Sequence, residues 1–396
     1  MAFVRGHMNT SDVSLRNFNP RNLLHLDWLL LLLVLSLAIA GWLTMYSAST
    51  SSDISHFHKQ IIFFVAGFIL ALGMACMDYR LLVSLALPMY MVSLGLLLAV
   101  ELVGIEVKGS GRWLQMGPVR LQPSELTKVV MIFFLTWYLT TIGERIKKFH
   151  WFALAFLLTG IPMAFILKQP NLGTAASLGP LLLGLLYVAG CRKRHLLLVI
   201  LAGLSVIPMI WFQLKDFDPA VVTERQSAFE LKHYQKQRVY SFLNPEHDIR
   251  GSGWQTYQSK ITVGSGGMTG RGYLNGKQTR LNYLPEHHTD FIFSLLAEER
   301  GFLGASVLIG LFCAFMMRGL MFARDCPDMM GTLLATGAVV ILSFHVFVNI
   351  AITIGIMPVT GIPLPFLSYG GTFYITTMLC VGILLSVPIR RRKFVH

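Results

Sequence analysis

The stretch LPEHHTDFIFSLLAEERG, Leu284 to Gly301, runs five polar or charged residues, Glu286 to Asp290, directly into an apolar segment. Asp290 is the acid closest to that boundary. A carboxylate beside a site of group transfer can take a proton from an attacking hydroxyl. A simpler account is also open. If a helix starts with Thr289 as its N-cap, Asp290 falls in the first turn and serves the free backbone N–H groups there. That account does not reach Glu298 and Glu299, about two turns further in. Asp290, Ser294 and Glu298 are spaced i, i+4, i+8 and form one polar stripe. Lipid would cost each acid several kcal/mol, so both glutamates must face protein or water.

Three further stretches carry chemistry-bearing residues. In KGSGRWLQMGPVRLQPSELTK, Lys108 to Lys128, Pro123 suits the first turn of a helix. Glu125 and Lys128 then share a helical face. Lys128 is either a functional cation or a lysine snorkelling to the interface and pairing with Glu125. KQPNLGT, Lys168 to Thr174, reads as a tight turn between two spans. GIMPVTGIPLPFLSYGGTFY, Gly355 to Tyr374, has three prolines and four glycines in an apolar setting. It is either a broken segment buried at membrane depth or a turn at the outer surface. His287 and His288 are adjacent, so their side chains diverge on regular structure. EHHTD matches no metal-ligand spacing, and no protein-bound metal is expected.

The elements that must position these groups are membrane helices. The chain has 396 residues, 54% hydrophobic and only 13% charged, with mean hydropathy +0.60. An average soluble domain is about 25% charged. Apolar segments fall at about 26–46, 59–76, 81–103, 124–142, 151–168, 174–190, 195–213, 291–317, 330–356 and 366–388. Each approaches the ~20 residues that cross a bilayer. The expected fold is an all-α integral membrane protein with ten transmembrane helices.

The net charge of +13 does not indicate nucleic acid, because the basic residues sit in short clusters between apolar segments. One side collects Arg5, Arg16, Arg21, Arg80, Arg145, Lys147, Lys148, Arg192, Lys193, Arg194, Arg318, Arg324 and the tail Arg390 to Lys393. The short loops of the other side hold Lys59, Lys108, Arg112 and Arg120. This imbalance puts both termini in the cytoplasm. The expected organisation is a cytoplasmic tail, 1–25, a ten-span domain, 26–389, and a basic cytoplasmic tail, 390–396. A large extracytoplasmic loop, 214–289, joins spans 7 and 8, a length that usually signals function. Cys76, Cys191, Cys313, Cys326 and Cys380 are scattered and read as free thiols. No cleavable signal peptide is evident. The four polar stretches converge on the outer face, where Lys and Arg would hold phosphate of a lipid-linked substrate.

The words GRWLQMGPVRLQPSELTK, QPNLGT, QSKITVGSGGMTGRGYLNGKQTRLNYLPEHHTDFIFSLLAEERG and PVTGIPLPFLSYGGT resemble the SEDS family (shape, elongation, division and sporulation) over nearly the whole chain. FLNPEHD, QSKI and VGSGG resemble the elongation (RodA) branch more than the division (FtsW) branch. The resemblance implies a multi-pass peptidoglycan glycosyltransferase of the bacterial cytoplasmic (inner) membrane. Such a protein polymerises lipid II, releases undecaprenyl diphosphate, and works with a class B penicillin-binding protein and other elongation-complex membrane proteins. It implies Asp290 as the essential acid. It places Arg112, Trp113, Glu125 and Lys128 at the substrate cavity. Lys260 and Arg271 of the loop are candidates to meet the diphosphate, and Glu286 and Ser368 are further candidate substrate contacts. A divalent cation, Mg or Mn, bridging the diphosphate is compatible with this, though the chain offers no dedicated ligand set. Two positions depart from the family pattern. Asn171 stands where Asp is usual, which puts in doubt any ion pair between it and Lys128. Thr372 stands where Ser is common.

Two rivals remain open on the sequence. A lipid II flippase also needs buried charges and broken helices, but along the full membrane path. A non-catalytic scaffold would keep function with Asp290→Asn. One tension also stands: a helix N-terminus lowers an acid's pKa, whereas partial burial raises it.

Overall fold

A computed structural model describes residues 26–50, 53–107, 110–117, 119–215, 233–243, 252–276 and 288–391. Long apolar runs become helices because hydrocarbon offers no partner to a free peptide group. In chain order these are α1 (Trp28–Thr50), α2 (Ser55–Cys76), α3 (Tyr79–Ser84), α4 (Ala86–Val103), α5 (Pro123–Ile142), α6 (Phe149–Lys168), α7 (Leu172–Val188), α8 (Lys193–Lys215), α9 (His233–Leu243), α10 (Ser252–Ser265), α11 (Ile292–Asp325), α12 (Met329–Thr353) and α13 (Gly371–Arg391). Each of the ten expected apolar segments coincides with helix. Eight of these helices are long and apolar enough to cross a membrane: α1, α2, α4, α5 with its continuation, α6, α11, α12 and α13. Helix α7 is apolar but shorter, at 17 residues. The expected span 81–103 divides at Leu85 into α3 and α4.

Helices α5, α12 and α13 are the most buried and form the centre, while α2, α4 and α6 present more surface. Helix α13 packs against α2, α11 against α12 and α1, and α12 against α5 and α7. Small residues permit this closeness. A Cβ on Gly41 of α1 would lie 2.2 Å from the Phe366 carbonyl oxygen.

The structure corrects the sequence reading in two places. The chain is not wholly α. Three short strands, β1 (Ile105–Val107), β2 (Ser110–Met116) and β3 (Val119–Leu121), form an antiparallel sheet in that order. Its strands are too short for their period-2 pattern to stand out from the apolar spans. The second correction concerns the helix after Asp290. It starts at Ile292, not Thr289, and no side chain caps it at Phe291. Residues 288–290 form a turn instead. Their carbonyls are bonded to the 349–369 region, as described below, so they do not open a helical ladder.

The proline- and glycine-rich stretch is broken, with no helix between Thr353 and Gly371. It is also buried: Leu364, Phe366 and Leu367 are inaccessible. Gln60 Nε2 donates to the Leu367 carbonyl at 3.0 Å. This serves irregular backbone that lipid would leave unbonded.

Candidate functional site

Asp290 sits where the 288–290 turn meets the broken segment. Ser368 Oγ donates to the Thr289 carbonyl at 2.5 Å and accepts from Leu364 N at 2.8 Å. The Tyr369 amide donates to the His288 carbonyl at 3.0 Å. Asn349 Nδ2 donates both to the Asp290 carbonyl at 2.9 Å and to the Ile362 carbonyl at 2.8 Å. Three successive carbonyls are therefore held from outside the turn. The half-buried carboxylate faces Gly361, where a Cβ would lie 3.6 Å from Asp290 Oδ2. Gly361 has φ +72°, which L side chains rarely adopt. The carboxylate therefore lies against a backbone position that disfavours a side chain.

A second polar centre lies in the helical core. Pro123 begins α5, which puts Glu125 in its first turn and Lys128 three residues on. Lys128 Nζ is 2.8 Å from Glu125 Oε2. Both side chains are buried, Lys128 completely, so the lysine does not snorkel. Thr174 Oγ1 donates to Glu125 Oε1 at 3.2 Å. His345 Nε2 lies 2.9 Å from Lys128 Nζ, and the ammonium stands 5.4 Å from the Phe373 ring centre. Charge-assisted bonds of this kind keep both ions tolerable away from water.

The departure at Asn171 has a structural consequence. Its side chain accepts from Thr174 N at 3.3 Å, capping α7, and donates to Ser124 Oγ at 3.2 Å. Lys128 finds its carboxylate in Glu125 instead. Thr372 Oγ1 donates to the Arg120 carbonyl at 3.3 Å and accepts from Gln122 N at 3.2 Å. It ties α13 to β3.

The other expected site residues are spread around these centres. Arg112 on β2 donates through Nε to the Gln169 carbonyl at 3.0 Å and through Nη2 to the Pro170 carbonyl. Its fork braces the α6–α7 turn. Trp113 pairs with Ile105 across the sheet and is half-buried. Lys260 is exposed on α10, its stem against Gly355 at the end of α12. Arg271 is exposed, and its amide donates to the Glu298 carbonyl at 3.0 Å. Glu286 lies outside the described residues.

Glu298 and Glu299 are explained by the glycine-rich segment after α10. Helix α11 breaks at Gly301 (φ 66°, ψ −168°). The peptide groups freed by the break bond to that segment. Arg271 N and Gly272 N donate to the Glu298 and Glu299 carbonyls. Phe302 N and Leu303 N donate to Gly267 and Met268 at 2.8 and 3.1 Å. Glu299 Oε1 accepts from Ser47 Oγ and from Leu274 N at 3.1 Å. Both acids are buried and face protein. Beside them, between α1 and α11, lies a half-open cleft of about 200 Å³. Leu43, Leu296, Val307 and Leu311 line it, with Tyr273 and Arg300 at its polar end.

Beside the 288–290 turn, His56 and His288 stack with ring centres 5.0 Å apart. His56 also meets Tyr369 edge-on at 4.6 Å. The Ser55 hydroxyl and amide hold the nearby Asp53 carboxyl below the usual carboxylate range. Among the described residues, no three His, Cys, Asp or Glu side chains group as a metal site requires.

Sequence reasoning missed Asn349 and His345. Each was visible as a lone polar residue in an apolar span, a signal of function or of a buried bond. Placing their partners needed the fold.

Fold and site together define a multi-helix membrane protein with a buried ionisable core and an acid held at its broken segment. The family model described as "Cell cycle protein", covering FtsW, RodA and SpoVE, matches residues 27–393. The chain belongs to this family of peptidoglycan glycosyltransferases. It is 37% identical to the probable peptidoglycan glycosyltransferase FtsW of Trichlorobacter lovleyi, covering 93% of this chain and 94% of that one. It is 35% identical to the peptidoglycan glycosyltransferase MrdB of Escherichia coli K12, covering 93% and 95%. Among solved structures, it resembles a chain of a peptidoglycan synthase complex that coordinates polymerisation and crosslinking. That match has TM-score 0.78 and 32% identity, over 93% of this chain and 99% of that one. It also resembles the rod shape determining protein RodA of Thermus thermophilus, at TM-score 0.67 and 30% identity over the same shares.

Proposed function

We propose that this chain polymerises lipid II into glycan strands on the outer face of the bacterial cytoplasmic membrane, with Asp290 as general base. The acceptor's sugar 4-hydroxyl attacks the anomeric carbon of the donor glycan. The new C–O bond forms as the bond to the diphosphate breaks, with inversion. Asp290 takes the hydroxyl proton, and undecaprenyl diphosphate carries off the bonding electrons. The observation that carries this reading is the mounting of Asp290. Its turn is held by Ser368, Tyr369 and Asn349, and its carboxylate lies against Gly361. Preorganisation of this kind places a base without reorganisation at the moment of reaction.

The exposed Lys260 and Arg271 meet the diphosphate; a divalent cation there, Mg or Mn, would offset further charge but would find no dedicated protein ligand set. Lys128 contributes positive potential from within, and Arg112 and Trp113 keep the outer sheet in place. Glu125 holds Lys128, Ser368 holds the acid's turn, and Glu286 belongs to the approach. The lipid tail takes an apolar groove between helices, such as the one between α1 and α11. Ten spans with both termini cytoplasmic and loop 214–289 outside fit the basic-residue asymmetry. The elongation role rests on FLNPEHD, QSKI and VGSGG, since relatives of both the FtsW and the RodA kind match. A class B penicillin-binding protein supplies the crosslinking. The crowding of ionisable groups near one face favours an enzyme over a flippase, which needs them along the whole path.

The test uses the purified protein with its penicillin-binding partner and labelled lipid II, with products separated on gels. Wild type yields glycan strands. Asp290→Asn, which leaves the peptide clamps intact, drops the yield by roughly 10²–10⁴-fold, the usual contribution of a general base. An Asp290→Asn protein that polymerises like wild type would sink the assignment.

A further inference from the structure

The core of α12 holds two buried polar side chains one turn apart, His345 and Asn349, at 1% and 0% exposure. Asn349 clamps the Asp290 peptide. His345 faces the other centre, Lys128. An ammonium has three donors and no acceptor. At 2.9 Å, His345 Nε2 must therefore accept from Lys128 Nζ, which fixes the imidazole as neutral with its proton on Nδ1. The ring stacks on Phe373, with centres 5.2 Å apart, and the Pro363 carbonyl of the broken segment lies beside it. Phe373 belongs to α13 and Pro363 to the segment that carries Gly361 and Ser368. The imidazole thus meets α5 through Lys128 and α13 through Phe373.

We infer that His345 is a positioning residue for the glycosyltransferase reaction: as a neutral acceptor it fixes the Lys128 ammonium of the buried Lys128–Glu125 pair. This deepens the functional reading above and rests on it. The lysine stem has four rotatable bonds, so Glu125 alone leaves the ammonium free to swing about one partner. A second acceptor at 2.9 Å removes that freedom. The positive charge then acts from a fixed point as the diphosphate's negative charge develops.

The test compares His345→Gln and His345→Phe in the full chain with its partner. Gln places an amide oxygen near the position of Nε2 and can accept from Lys128. Phe keeps the ring stack on Phe373 and has no acceptor. For protein that elutes as a single species and melts within a few degrees of wild type, His345→Phe lowers kcat by roughly 10–100-fold, the scale of a misplaced group. KM for lipid II changes less, because the interaction is made in the transition state. His345→Gln recovers most of kcat. Equal activity of His345→Phe and wild type overturns the inference, as does equal loss in Phe and Gln. If Phe cannot be purified folded, His345→Leu and His345→Asn replace the pair, with Asn expected to recover less than Gln because its amide is one carbon short. Asp290→Asn is run beside them. Full activity there defeats the Asp290 reading alone and leaves the Gln–Phe contrast to decide His345.

Discussion

Asn349 is the residue whose replacement separates position from chemistry most cleanly. Its Nδ2 serves two buried carbonyls, Asp290 and Ile362. Asn349→Leu strips both of their shared donor at nearly constant volume. The expected loss is about 1–3 kcal/mol of stability per orphaned group, read as a lower melting temperature, together with reduced strand yield per folded protein. Cys326, between α11 and α12, gives a second prediction. Burial is the main cause that pushes its thiol up to about 12, with the Asp328 charge adding to it. A raised acid keeps its proton in the folded state, so thiolate stays scarce at pH 8. Iodoacetamide should leave Cys326 unlabelled in folded protein at pH 8 and label it after denaturation, as peptide mass spectrometry would show. The same shift means folding gains its benefit from the protonated thiol below the ordinary cysteine pKa, a benefit lost as pH climbs through the interval above it. At this scale the sequence showed Glu125 and Lys128 as partners because i, i+3 spacing on a helix is a local fact. It could not show His345 as the third member, since residues 217 apart meet only through the fold.

Among the elements, the broken segment was legible from its prolines and glycines, and burial decides between its two readings. The sheet at 105–121 was not legible, and neither was the true start of α11. In both cases the deciding bonds come from elsewhere: Arg112 reaches the 169–170 carbonyls, and Ser368 and Asn349 take the carbonyls of Thr289 and Asp290. The seam between the glycine-rich segment and α11 yields the sharpest element-scale test. Gly270 has φ +83°, and a Cβ there would stand 2.1 Å from the Glu299 carbonyl oxygen. Gly270→Ala therefore combines a conformational cost of order 1–3 kcal/mol with a backbone collision. The expected outcome is a strong drop in folded yield. Gly267→Ala shares a positive φ but meets no atom within 4 Å, so it should be milder in the same thermal assay.

For the whole molecule, composition and charge placement dictated a membrane bundle, because twenty apolar residues have few other stable homes. Each expected apolar segment overlaps helix, and among the described residues eight helices are long and apolar enough to cross a membrane, while α7 is short and α3 splits from α4. The proposed orientation predicts that reporters fused at either terminus signal from the cytoplasm. A reporter placed in 244–251 should signal from outside. A terminus found outside would reverse the orientation and move the proposed site to the opposite face.

The repaired break at Gly301 also has a consequence for inheritance. Segment 264–276 and residues 296–303 are bonded backbone to backbone, and a Cβ added to Gly266, Gly270 or Gly301 would lie 2.0, 2.1 or 2.3 Å from a backbone atom. Neither stretch can drift alone. A change that shifts one must be answered in the other, about thirty positions away, so the two should travel through evolution as a single unit. Exchanging either stretch alone for that of a distant relative should fail to fold, and exchanging both together should restore the protein.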